Sequence, residues 1–186
     1  MQNDLNMANK QTEYQGYKPP FILSAKAVGM IADIAAQMER FAMRMEQEYP
    51  GIKIVVMGDM NDNPTDESQT VYLHGRENPE DVAPEDFFDP FIRLLKDGYG
   101  SLAYRGVWNI YDIIQVNYNL LNAPDGGLKL HPIKLGRKKY FGRVFHKDFM
   151  TNQSGPYKGT PFRTFSGGAF IGGYSDHYPT YIIVSK

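Results

Sequence analysis

The 186-residue chain contains no cysteine. Disulfide frameworks, thiolate zinc sites and cysteine nucleophiles are therefore excluded, and any metal chemistry must use oxygen and imidazole ligands. Neither sign of charge is in excess: 20 Lys and Arg stand against 21 Asp and Glu, a formal net charge of −1. That balance excludes a surface basic all over, as a general glove for nucleic acid would be, but it leaves room for a local basic patch. No apolar run approaches the length of a membrane span. The opening residues, MQNDLNMANKQTEYQGYKPP, have neither a basic n-region nor an apolar h-region. No signal peptide is written in the chain as given, and no compartment follows from it.

What is present is the material of one domain. Hydrophobic residues make up 42% and aromatics 13%, enough for a substantial core. Residues 1–20 read as a polar tail and residues 21–186 as the folded unit. Between Ser24 and Tyr49, Val28, Ile31, Ile34, Ala35, Met38, Phe41, Ala42 and Met45 recur every three or four residues, which predicts one long amphipathic helix. Ser24 is the expected N-cap, and Pro50-Gly51 the stop. The run Ile52–Met57 follows at once, short, β-branched and apolar, as expected of a strand covered on both faces. A helix feeding a buried strand means layered α and β.

The remaining pattern is less regular. TVYLHG predicts a short helix, RENPEDVAPED a surface connection, and FFDPFIRLLKDG a helical turn or two ending at Gly98. Two β-rich segments, Leu102–Val107 and Ile110–Val116, predict a hairpin turning near Trp108-Asn109. Residues 124–167, rich in Gly, Pro, Lys and Arg, predict a long irregular excursion, and Tyr178–Val184 a final buried strand. Within the excursion, Lys129, Lys134, Arg137, Lys138, Lys139, Arg143 and Lys147 alternate with Tyr140, Phe141 and Phe145. A solvated hairpin with its aromatics tucked inward explains this stretch better than a track for a phosphate backbone. His74, His131 and His146 read as incidental surface or loop residues, Trp108 as structural, and Met30, Met38, Met43 and Met45 as helix residues, not metal ligands.

Two polar clusters abut buried strands: IVVMGDMND leaves one and YSDHYP enters another. Side chains at strand ends are held by a sheet and face solvent, where a rigid scaffold presents reactive groups. Either cluster alone is more often a plain turn. Together, Gly58-Asp59-Met60-Asn61 as a strand-GDxN motif, Ser175-Asp176-His177 as an SDH motif, and Asp112 in GVWNIYDIIQV resemble the endonuclease/exonuclease/phosphatase superfamily of DNase I-like hydrolases. The tail PFRTFSGGAFIGGYSDHYPTY looks like the Bacteroidetes-type members.

The resemblance implies an α/β (α+β) fold: the second half of a four-layer α/β/β/α sandwich, with one mostly antiparallel mixed sheet and the long helix on its outer face. It implies hydrolysis of phosphodiesters or phosphomonoesters with Mg²⁺ or Mn²⁺, the cations that suit oxygen ligands. In that scheme Asp59 orients or deprotonates water and contributes to the metal site, Asn61 holds that water or a phosphoryl oxygen, and Asp176 ligates the metal. His177 stabilises developing charge, Asp112 fixes its tautomer, and Arg163 lies at the rim as a substrate contact. Asp62 reads more readily as a cap on its own turn than as an outer-sphere metal contact.

The family site also draws an Asn, a Glu and a His from its first half, and the 58 residues before Asp59 offer no place for them. The expectation is therefore a C-terminal fragment, weak as a catalyst alone, whose partners are a phosphate-ester substrate, nucleic acid among the candidates, and either a dimer mate or a missing N-terminal half. The alternative is a non-catalytic remnant or interaction module that binds a partner through an exposed sheet face.

Overall fold

The structure is a computed structural model that describes residues 21–24 and 31–186. In chain order its elements are β1 (Phe21–Ser24), α1 (Ile31–Glu48), β2 (Ile54–Asp59), β3 (Gly75–Arg76), β4 (Phe87–Phe88), α2 (Pro90–Lys96), β5 (Leu102–Tyr104), β6 (Val107–Asn109) and β7 (Asp112–Asn117). There follow α3 (Tyr118–Leu121), β8 (Lys129–His131), β9 (Ile133–Leu135), β10 (Lys138–Tyr140), β11 (Gly142–Val144), β12 (Phe165–Ser166), β13 (Ala169–Phe170) and β14 (Thr180–Ser185).

The main sheet has the order β1-β2-β7-β4-β3, parallel at its two outer pairings and antiparallel within. This is the mixed α+β sheet expected from the sequence. Register partners in a sheet point to the same side, so Ile54 and Val56 share one face with Asn117 and Gln115, while Val55 and Met57 share the other with Val116 and Ile114. Ile54 and Val56 are buried in one cluster with Ala35 and Ala42 of α1, and Met38 and Met45 close over it. The expected helical stripe thus does cover the sheet, though Val28 and Met30 lie outside the described residues.

Val55 and Val116, from the opposite face, join Phe88, Leu120, Leu130, Ile182 and Val184 in a second cluster. That cluster includes residues of a three-stranded sheet, β11-β14-β8, built from the basic excursion and the last strand. The result is layered: helix, main sheet, second sheet. Asn117 secures one junction. Its Oδ1 accepts from the Ile54 and Leu120 N–H groups (2.9 and 3.3 Å), and its Nδ2 donates to Ile52 O (2.9 Å).

Ser24 ends β1, whose backbone pairs in parallel with Ile54–Met57, and the residues between it and Ile31, with them the expected capping contact, lie outside the described residues. Two local expectations need correction. The 102–116 hairpin turns at Arg105-Gly106, not Trp108-Asn109, because both turn residues take positive φ (51° and 82°). Such a turn matches the right-handed twist of a tight hairpin, and Gly at the second position accepts it without strain. It leaves Trp108 and Asn109 within β6 and frees β7 to pair with β2. Lastly, the short helix expected from TVYLHG lies earlier, at Ser68–Tyr72, as a π-type turn closed by Leu73 N donating to Ser68 O at 3.1 Å.

The basic excursion does form a hairpin, β9 with β10, in which Tyr140 is buried and Phe141 packs edge-on against Phe88. Phe145 remains exposed. Among the described residues no helix is long and apolar enough to cross a membrane.

Candidate active site

Strand parity brings the site together. Asp59, last in β2, and Asp112, first in β7, are register partners, so their side chains leave the main sheet on the side that faces the second sheet. The chain enters β14 from that side, and Asp176 and His177 sit just before it. His177 Nδ1 lies 2.9 Å from Asp112 Oδ2. Residues 65 apart in sequence thus form a carboxylate–imidazole pair, with Asp59 on the neighbouring strand.

The loop after β2 is fastened to the start of β7. Met60 N donates to Tyr111 O (2.8 Å). Asn63 Nδ2 donates to Asn109 Oδ1 (2.9 Å), and Asn63 Oδ1 accepts from Ile110 N (3.1 Å). Asp59 Oδ1 accepts the Asn61 N–H (3.1 Å), and Asn61 takes a left-handed φ of 52°, a conformation Asn tolerates better than most residues. Asn61 is an exposed residue next to Asp59 in the loop. Asp62 turns back instead, its Oδ2 accepting from Ser68 Oγ at 2.7 Å. It fastens its own turn, as its place in the sequence suggested.

Ser101 was not legible as part of the site. It is fully buried, and its hydroxyl donates to Asp112 Oδ2 at 2.7 Å, the same oxygen that meets His177. Its N–H donates to Asn109 O (2.8 Å), and its carbonyl accepts from Tyr178 N (2.7 Å). One serine therefore joins the hairpin, the Asp112 strand and the entry to β14. A lone Ser in GYGSLAY carries no local signal of this. Tyr178 lies beside Trp108, the rings nearly parallel with centroids 6.2 Å apart, and its hydroxyl bonds with Thr151 Oγ1 (2.8 Å). Trp108 is thus structural, though partly exposed.

An ionised carboxylate only accepts hydrogen bonds, so Nδ1 of His177 carries the proton on the Asp112 side. The opposite ring nitrogen, Nε2, is the one left to meet a substrate. The hydrogen bond to Asp112 raises the His177 pKa above the usual 6.5; partial burial opposes it, and Asp112, Asp176 and Asp59 add to the rise through their charge. Asp176 and Asp59 thus lie within electrostatic reach of the imidazole. Tyr111 is likewise pushed up, by burial first and then by the charges of Asp66, Asp62 and Asp59.

Arg163 is not joined to this group by any hydrogen bond or ion pair among the described residues. Its side chain is exposed, and its carbonyl accepts from Gly173 N at 3.1 Å. His74 and His131 are half-buried rather than surface residues, each with a buried ring nitrogen lacking a partner among the described residues, and His146 tilts against Tyr178.

The structure is a mixed α+β sandwich with a carboxylate-backed histidine at its strand ends. The chain matches the Endonuclease/Exonuclease/phosphatase family model over residues 28–186, and it belongs to that family. No curated protein gives a significant match. Enzymes of the family are generally hydrolases of phosphate esters that use divalent metals. Among the described residues, however, no three His, Asp or Glu side chains are grouped so as to hold a metal ion. Asp59 and Asp176 do not make a complete protein ligand set on their own.

Proposed function

We propose that this chain carries a metal-dependent phosphoester-hydrolysing site whose working side chains are Asp59, Asn61, Asp112, Asp176 and His177. The observation that carries the reading is the 2.9 Å contact of His177 with Asp112, itself held by Ser101 and paired in register with Asp59.

Hydrolysis needs an activated water and donors placed where negative charge grows on the phosphoryl oxygens. Asp59 accepts the proton of the attacking water as the water oxygen bonds to phosphorus; the ester P–O bond breaks, and the leaving oxygen takes its electron pair and a proton from solvent. Asn61 orients that water or a phosphoryl oxygen. His177, anchored through Nδ1, donates from Nε2 to a nonbridging oxygen, and its raised pKa favours the charged, donating form. Asp112 and Ser101 hold the ring in that orientation. Mg²⁺ or Mn²⁺ is the expected cation, supplying charge neutralisation with Asp59 and Asp176 among its ligands. A third protein ligand is lacking among the described residues, so we expect the isolated chain to be a weak catalyst. Nucleic acid is among the candidate substrates, and Arg163 is retained as a rim contact.

The test is hydrolysis of an activated phosphodiester at high protein concentration, with Mg²⁺ or with chelator, alongside NMR of His177 as a non-hydrolysable phosphate ester is added. Metal-dependent turnover should fall by about 10²–10⁴-fold in Asp59→Ala and His177→Ala. Equal rates in wild type and variants, or no turnover together with an unmoved His177 resonance, would overturn the assignment.

A second reading, a non-catalytic interaction module, is favoured by Ile183, an apolar β14 residue that is 45% exposed on the second sheet. Sedimentation decides it: a concentration-dependent dimer abolished by Ile183→Lys supports this reading, and a monomer at all concentrations removes it.

A further inference from the structure

Behind the site, on the opposite face of β7 from Asp112, lies a line of buried polar side chains that the chemistry above does not use. Asp89 is fully buried at the N-cap of α2, where Oδ1 accepts from Phe91 N at 2.9 Å. Its Oδ2 accepts from Gln115 Nε2 (3.0 Å), which also donates to Gln69 Oε1 (3.1 Å). Gln69 Nε2 donates to Ser68 Oγ (3.0 Å), and Ser68 Oγ donates to Asp62 Oδ2 (2.7 Å). Four of these five side chains, all but Asp62, are almost wholly excluded from water. Ser68 and Gln69 sit in the π-type turn, a rare conformation that is frequent at functional sites.

We propose that Asp89 is a positioning residue for the loop carrying Asn61 and Asp62, acting through Gln115, Gln69 and Ser68 on the Asp62 carboxylate.

The direction of the hydrogen bonds makes the chain a relay and not only a set of satisfied groups. With Asp89 ionised, Gln115 donates towards both ends and each later donor points towards Asp62. A proton on Asp89 Oδ2 would face the Gln115 NH₂ group, donor against donor. Relief requires Gln115 to rotate its amide, then Gln69 to rotate, and the Ser68 hydroxyl to turn from Asp62 to Gln69. The Asp62 carboxylate then loses its donor. Among the described residues nothing bonds the far side of the Gln115 amide to oppose this, because its Oε1 is buried without a partner there.

Burial drives the Asp89 pKa up to about 8, with the Phe91 N–H, the Gln115 amide and the Ile92 N–H opposing. The charged groups on the surrounding elements are paired among themselves: Arg76 with Asp86 at 2.7 Å, and Arg93 and Lys138 with Asp97 at 3.3 and 2.9 Å. At the other end, Asp66 stands beside Asp62, its own pKa raised first by burial and further by Asp62, and Tyr111 is within reach of both.

The role rests on reading the Gly58–Asn63 loop as part of the site, but its test does not depend on turnover. Side-chain carboxyl ¹³C resonances of Asp62 and Asp89 are followed by NMR from pH 5 to pH 10 in the full chain. Both should show a common step near pH 8, the value expected for Asp89. Ser68→Ala should remove that step from Asp62 and leave it at Asp89, Ser68→Thr should restore it, and Asp89→Asn should abolish it at Asp62. The persisting Asp89 step in Ser68→Ala also reports that the variant is folded. An Asp62 resonance without the step in wild type, or one that keeps it in Ser68→Ala, would overturn the relay. Loss of turnover in Asp59→Ala bears only on the proposed reaction.

Discussion

At Asp112, two donors on one carboxylate oxygen set the state of the histidine. Ser101 and His177 both meet Oδ2, and this double anchorage leaves the imidazole little freedom to rotate. Because the folded pKa of His177 lies above 6.5, the pair's stabilisation is fully present below pH 6.5 and is lost as pH rises through the folded value. NMR of the ring should give a midpoint above 6.5, and Asp112→Asn should bring it down, since the largest cause of the rise is then gone. A wild-type midpoint at or below 6.5, or one unchanged in Asp112→Asn, would contradict this account. Sequence alone displayed Asp59, Asp112 and His177 through their motifs. It could not display Ser101, whose three bonds reach Asn109, Asp112 and Tyr178 across separate strands.

At the scale of elements, two tight turns decide where site residues stand. Arg105 holds a φ of 51° in the β5–β6 turn, a strained conformation for a side chain without a local hydrogen-bonding role. Arg105→Asn should raise stability by up to about 1 kcal/mol, measured by denaturant melting, because Asn-Gly is the preferred pair in such turns. Gly173 has the opposite sensitivity. A Cβ there would lie 2.1 Å from Phe162 O and 2.2 Å from Arg163 O, both backbone atoms that cannot step aside. Gly173→Ala should therefore cost about 1–3 kcal/mol and displace the Ser175–His177 loop, seen as a lower melting temperature together with a shifted His177 resonance. An unchanged melting temperature would show that the strap from Phe162 to Tyr174 is looser than its hydrogen bonds indicate. The local apolar pattern revealed α1 and β2. It revealed β14 as a strand but not its surroundings: the last strand was expected to be buried, and its residues are half-buried or exposed because it carries the second sheet's outer face. The pattern missed the 105–106 turn, since positive φ at Arg is not a preference that sequence advertises.

For the whole molecule, Asp89 couples folding to pH. The native state keeps its proton up to about pH 8, while an unfolded carboxyl releases it near 3.8. Stability should thus decline as pH rises between those values, by at most about 1.4 kcal/mol per unit, and level off above them. Asp89→Asn should remove this contribution, most visibly as a gain in stability near pH 8 relative to wild type, read from urea melts at several pH values. Parallel curves for wild type and variant would show that Asp89 is ionised in the native protein.

The long amphipathic helix, the apolar strands that flank the polar clusters, and the paired GDxN and SDH motifs were properties of the sequence itself, because each rests on contiguous spacing or on residue types at one strand end. The order of the sheets, the choice of β7 as partner of β2, and the meeting of Asp112 with His177 and Ser101 were decided only in three dimensions. So was the line from Asp62 to Asp89. Its bonds join residues 46 and 26 positions apart, and a buried glutamine in an apolar strand reads as an exception until its partners are seen. Hydrogen bonds between distant segments leave no periodicity in the chain, and packing alone selects which polar groups end up buried together.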